Sequence, residues 1–209
     1  APGFAAAIEA AALAVTPGAQ DKAEQMVREL WEQTEPGRHV GLMPFLGWAE
    51  LELAEDGERV PAGPALRAVR ELVWQHQLVE ADTGERERDL VGGIVFTQQR
   101  TPIPTGQTAL PIAMTAGLLG DPRLTPDAEL AGEVQTHLRS LRFLRQLTID
   151  EPAATMFPRP DRAIGGVRRA LWDQRVSTEA TAMTLIAICD TLASLEAIAE
   201  RRRTAPEDR

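Results

Sequence analysis

Residues 70–119 and 139–192 read as one unit written twice, and this repeat limits the possible folds more than any single residue does. The first copy runs RELVWQHQL, DLVGGIVF, QTALPIAMTAGLL; the second runs RSLRFLRQL, RAIGGVRRA, ATAMTLIAICDTL. Gly92-Gly93 aligns with Gly165-Gly166, and Thr108-Ala109 with Thr181-Ala182, both at a shift of 73. Gln77-Leu78 aligns with Gln146-Leu147 at a shift of 69, which makes the loop before the glycine pair four residues longer in the second copy. Units of this kind leave a hydrophobic face that only a neighbouring unit covers.

Strand patterns are short, with a β-branched cluster only at residues 91–95. Helical periodicity is strong. Residues 22–33, 64–78 and 129–147 are amphipathic, the last with Val134, Leu138, Leu141, Leu144 and Leu147 along one face. Residues 40–49, 107–119 and 180–189 carry no charged side chain, and a helix apolar all round is expected to be buried all round. Residues 4–15 read as one more buried helix. The alternation predicts an all-α domain over residues 1–200 with inner apolar and outer amphipathic helices. Its hairpins fall at about 22–54, 64–119 and 129–200, joined by long loops at 79–106 and 148–178, with a frayed tail at 201–209.

A helix ending in Gln, a loop with Gly-Gly, then an apolar helix opening on Thr-Ala resembles the repeats of the terpenoid cyclase/protein prenyltransferase superfamily. Gln77, Gly92-Gly93 and Thr108-Ala109 carry the resemblance in one copy, with Gln146, Gly165-Gly166 and Thr181-Ala182 in the other. It covers residues 63–200 and implies a complete or partial α/α toroid, of a kind found in uncharacterised bacterial repeat proteins. A closed ring takes about twice the helices read here, so the resemblance implies completion by a homo-oligomer or by flanking repeats.

The family's catalytic patterns are not matched. The acidic Asp-x-Asp-Asp run of squalene–hopene-type cyclases falls on Ser177-Thr178-Glu179-Ala180 and on Pro104-Thr105-Gly106-Gln107, where Glu179 is the lone acid. For the zinc of prenyltransferases, His39, His76 and His137 have no metal-like spacing. Cys189 and Asp190 are adjacent on a helix and point about 100° apart. Cys189 reads as a buried thiol serving as a small hydrophobe, and Cys189-Asp190-Thr191 is not a thioester motif.

A formal net charge of −9 argues against nucleic acid as partner. A single cysteine excludes an intrachain disulfide and leaves the compartment open between cytoplasm and periplasm. The first residues lack a basic n-region, so no signal peptide is expected. Residues 101–120 are uncharged, but three prolines and three glycines make them a loop and a buried helix rather than a transmembrane segment. Glu50, Glu52, Glu55 and Asp56, and likewise Glu85, Glu87 and Asp89, read as solvated charge runs. Arg139, Arg142 and Arg145 read as an exposed stripe on an outer helix.

The function expected is a non-catalytic binding or scaffold domain using the loops at one end of the barrel, with Trp172, Asp173 and Glu179 as ligand contacts and no metal or cofactor. The alternative is a cyclase-like enzyme on an apolar isoprenoid-type substrate. Glu179 would then be the acid, in an apolar pocket lined by Trp48, Trp74 or Trp172 at the N-terminal ends of the inner helices.

Overall fold

The computed structural model describes residues 2–54, 57, 59–96 and 103–204. Helix accounts for 70% and strand for 6%, so the chain is all-α. The helices are α1 (Pro2–Ala14), α2 (Gln20–Gln33), α3 (Phe45–Leu53), α4 (Gly63–Gln75), α5 (Ala109–Gly120), α6 (Asp127–Leu147), α7 (Glu151–Ala154), α8 (Pro160–Ala163) and α9 (Thr178–Thr204). A short antiparallel pair, β1 (Arg168–Ala170) and β2 (Asp173–Val176), precedes α9. This pair was not expected from the sequence, because Arg-Arg-Ala and Asp-Gln-Arg-Val show no apolar alternation. The apolar run at 40–49 is split: residues 36–42 form a 3-10 turn, and α3 starts only after Pro44, which has no N–H to give a preceding turn.

Helices α1, α3, α5 and α9 touch in series, with α2 against α1 and α3, and α4 and α6 against α5. Helix α5 meets expectation: Pro111 to Ala116 are all buried. Helix α9 does not. Its buried residues are Ala180, Thr184, Ala187, Thr191, Ser194 and Ile198, a single stripe at helical spacing. Leu185 is 62% exposed, Leu192 57% and Ile188 43%, and Cys189 between them is exposed rather than buried. Only one side of α9 has a neighbour among the described residues, so an apolar helix here is not an enclosed one.

The α5–α9 contact is made by small residues. A Cβ on Gly120 would lie 2.8 Å from Ser194 Oγ, and Ser194 donates to the Ala116 carbonyl at 2.7 Å. Over the described residues α9 alone has the length and apolarity to cross a membrane, and 28% of its most apolar window is buried. It extends to Thr204, through residues expected to fray, while 205–209 lie outside the described residues. On α6, Leu138 is 47% exposed, and the core face runs instead through Leu130, His137, Ser140, Phe143, Leu144 and Leu147.

The repeat is visible as a repeated set of hydrogen bonds. Leu78 N–H donates to the Gly93 carbonyl at 2.9 Å, and Gly92 N–H to the Leu78 carbonyl at 2.8 Å. In the second copy Ile149 N–H donates to the Gly166 carbonyl at 2.9 Å, and Gly165 N–H to the Ile149 carbonyl at 2.8 Å. The next amide in each loop is taken by a threonine at the start of the following helix: Ile94 N–H to Thr108 Oγ1 at 3.1 Å, and Val167 N–H to Thr181 Oγ1 at 2.9 Å. Leu78 therefore corresponds to Ile149, and Gln77, bridged to Ile94, to Thr148, bridged to Val167. The shift at the helix end is 71 rather than the 69 of the Gln-Leu alignment, and the second loop is longer by two residues, not four. Gln146-Leu147 copies the letters of Gln77-Leu78 one turn-half too early.

Gln77 has a task that Gln146 does not share. It is buried and donates to the Thr136 carbonyl at 2.9 Å and to Ser140 Oγ at 2.6 Å, while Ser140 donates to the Gly92 carbonyl at 2.7 Å. The end of α4, the glycine turn and α6 are thereby joined. Gly92 has φ +93° and a Cβ there would fall 2.1 Å from the Arg139 carbonyl oxygen; Gly165 has φ +80° with open space around it. Both substitutions to alanine incur left-handed strain of about 1–2 kcal/mol, but Gly92→Ala must also move α6. Urea denaturation is expected to show G92A losing clearly more stability than G165A.

His137 sits fully buried where α5, α6 and α9 meet, its Nδ1 3.1 Å from Thr115 Oγ1 and its Nε2 2.8 Å from Thr191 Oγ1. Burial pushes the imidazole down from its ordinary 6.5 to about 4. Above pH 6.5 neither the folded nor the unfolded chain holds the second proton on this ring. Between 6.5 and 4 the unfolded chain takes one that the folded chain refuses, so stability falls as pH drops through that window. The loss amounts to about 3 kcal/mol at the lower edge. In His137→Gln this component of the pH slope is expected to vanish, read as the change in urea midpoint between pH 7.5 and 4.5.

Candidate functional site

The turn of the β1–β2 hairpin, the entry to α5 and the first turn of α9 enclose a small cleft of about 290 Å³. Ser177 starts α9, its Oγ accepting from Ala180 N–H at 3.2 Å. Thr105 does the same for the turn leading into α5, accepting from Gln107 N–H at 3.3 Å. Gly106 allows the two starts to meet: a Cβ there would lie 2.9 Å from the Ala180 Cβ and 3.0 Å from the Arg168 carbonyl oxygen.

All three residues expected as ligand contacts, Trp172, Asp173 and Glu179, line this one cleft. Trp172 stands at the hairpin turn and is 57% exposed. Glu179 is exposed in the first turn of α9, where a carboxylate complements the helix dipole. Asp173 is not free: Arg175 grips it through Nε at 2.9 Å and a terminal nitrogen at 2.6 Å, and its backbone N–H adds a third bond at 3.1 Å. These bonds, with the charge of Arg175 and that of Arg169, hold the Asp173 carboxyl at about 2, below the ordinary 3.8.

Sequence reasoning passed over Arg169, Arg175 and Gln107, which also line the cleft. The available signal was Asp-x-Arg at 173–175, a spacing that puts both side chains on one side of a strand.

Trp48 and Trp74 are elsewhere. Trp74 donates its indole N–H to Glu133 at 2.7 Å, between α4 and α6. Trp48 lines a groove of about 580 Å³ across α1, α3, α5 and α9, with Leu51, Ile186 and Asp190. Its indole N–H has no partner, and burial pushes the Asp190 carboxyl up. Arg142 and Arg145 are exposed as expected, while Arg139 donates to Gln77 Oε1 at 3.0 Å. Glu85, Glu87 and Asp89 are exposed, but Glu50 is 4% exposed and belongs to the interior, not to a solvated run. Glu55 and Asp56 lie outside the described residues. Among the described residues no group of three or more His, Cys, Asp or Glu side chains is disposed to hold a metal ion.

Comparison with protein-family models, with curated proteins and with solved structures finds no match. The cleft therefore rests on its own geometry. Arg175→Ala is expected to return the Asp173 carboxyl from about 2 toward 3.8. Carbon-detected NMR titration of the side-chain carboxyl reads this directly.

Proposed function

We propose that this chain is a binding or scaffold domain of helical-hairpin repeats arranged as part of an α/α toroid, taking its ligand at the cleft between the starts of α5 and α9. The observation that carries the reading is the convergence of Trp172, Asp173 and Glu179 from two elements into one cleft. An exposed indole beside fixed charges of both signs is a recognition surface: the ring offers area at little entropic cost, and the charges orient.

The serial contact of α1, α3, α5 and α9, with amphipathic helices packed behind them, supports the toroid reading. The uncovered stripe of Leu185, Ile188 and Leu192 on α9 supports continuation of the ring by another hairpin, from a second copy or from flanking repeats.

A cyclase-like acid needs a carboxyl tuned by neighbours inside apolar walls. The cleft around Glu179 is instead lined by Arg169, Arg175, Gln107 and Ser177, and its second carboxylate is held by Arg175.

Fluorotryptophan labelling separates the two readings, because Trp172 alone of the four tryptophans lines this cleft. In a panel of carboxylates, phosphates, amines and linear isoprenoids, a ligand that moves only the Trp172 resonance without being converted is the expected result. Conversion of an isoprenoid by the wild type and not by Glu179→Gln would replace the binding reading with the enzymatic one. Light scattering decides the source of ring completion: a dimer broken by Leu185→Glu supports a second copy, and a monomer supports flanking repeats.

A further inference from the structure

A second cleft, about 830 Å³, opens between α2, the C-terminal ends of α1 and α3, and the start of α4. Its volume is in the range of small-molecule sites. Asp21, Glu24, Glu32, Glu50 and Glu52 line it, with Arg28 as the single cation among the described residues. Acidic side chains at a surface are by themselves unremarkable. Two buried groups at this cleft are not.

Glu50 is 4% exposed and is held from two sides: Ala62 N–H donates to Oε1 at 2.7 Å, and the Trp31 indole N–H to Oε2 at 3.1 Å. Each oxygen keeps a second lone pair for a further donor. His39 is 6% exposed and stands edge-on to Trp31, with ring centroids 4.6 Å apart. It lines the same cleft, and its Nε2 is buried without a hydrogen-bond partner. With the ring proton on Nδ1, that nitrogen is an acceptor lacking a donor.

The cleft thus combines oriented acceptors, an indole and a strongly negative rim, and is short of donors and positive charge. We propose that it binds a small organic cation carrying several N–H donors, a guanidinium or amidinium group, with Glu50 and His39 accepting at the floor. Trp31 supplies an aromatic wall, on which such planar cations stack. Asp21, Glu24, Glu32 and Glu52 at the rim raise the local cation concentration. Among the described residues no group of side chains makes a metal site, and a planar fork of donors matches the spread acceptors better than a spherical ion does.

Titration calorimetry with benzamidinium and with a blocked arginine amide tests the proposal and separates a free ligand from a peptide side chain. Saturable one-to-one binding of at least one is expected, weakening with added salt. Tetramethylammonium, which has the charge but no N–H, is expected to bind at least about tenfold more weakly. Glu24→Gln/Glu32→Gln alters only exposed positions and is expected to reduce affinity severalfold; His39→Phe, checked for folding by its thermal melt, is expected to reduce it about tenfold. Binding must survive Trp172→Ala, which separates this site from the cleft at α9. The proposal is overturned by lack of binding of both probes at about 10 mM, by equal affinity for tetramethylammonium, or by affinity unchanged in both acidic-rim and His39 variants.

Discussion

Where a helix ends inside a packed helical protein, its last polar groups and those of the loop that follows must find partners. In this chain one device answers that need twice. A residue two or three positions past the helix end exchanges two backbone hydrogen bonds with a glycine pair, and the next amide is taken by a threonine that opens the following helix. Leaving buried amides unpaired would cost about 1–3 kcal/mol each, so the loop is held to one path. Helix, loop and next helix become a single mechanical unit. In the first copy Gln77 and Ser140 extend it to α6, and the fit is tight enough that only glycine suits position 92.

The packing of the apolar helices follows from that unit. Once Thr108 and Thr181 fix the starts of α5 and α9, the two helices approach through Gly120, Ser194 and the Ala116 carbonyl, with His137 sealing the junction from α6. Close approach of backbones favours small residues, and those left over face outward. On α9 the leftovers are Leu185, Ile188, Cys189 and Leu192, an apolar strip left uncovered. The same start of α9 shapes the cleft containing Trp172, Asp173 and Glu179, so the geometry of that cleft depends on the clamp that builds the core.

Much of the site was legible and some of it was not, for particular reasons. Trp172, Asp173 and Glu179 could be named because they fall between the glycine pair and an apolar helix, where a loop must come back to a helix end. Arg175 could not be assigned, since its bond to Asp173 depends on a two-stranded turn too short to show a period. Glu50 and His39 were misplaced or set aside for a different reason. In the sequence Glu50 stands in a run of acids and His39 in a turn; only the fold brings them against Trp31 and Ala62, from residues up to 31 positions apart.

The all-α class, the bounds of α2, α5 and α6 to within a few residues, and the existence of a repeated unit are legible in the amino-acid order alone. These properties are written in periodicity and in turn residues, which act over a few positions along the chain. The register of that repeat comes from the three-dimensional packing, because Gln146-Leu147 and Thr148-Ile149 are separated by two residues and the hydrogen bonds, not the letters, choose between them. That packing also decides which face of α9 is covered, that Cys189 points outward and that Glu50 points inward. Burial is a property of neighbours distant in sequence, and a helix of uniform apolarity carries no mark of the side on which its neighbour sits.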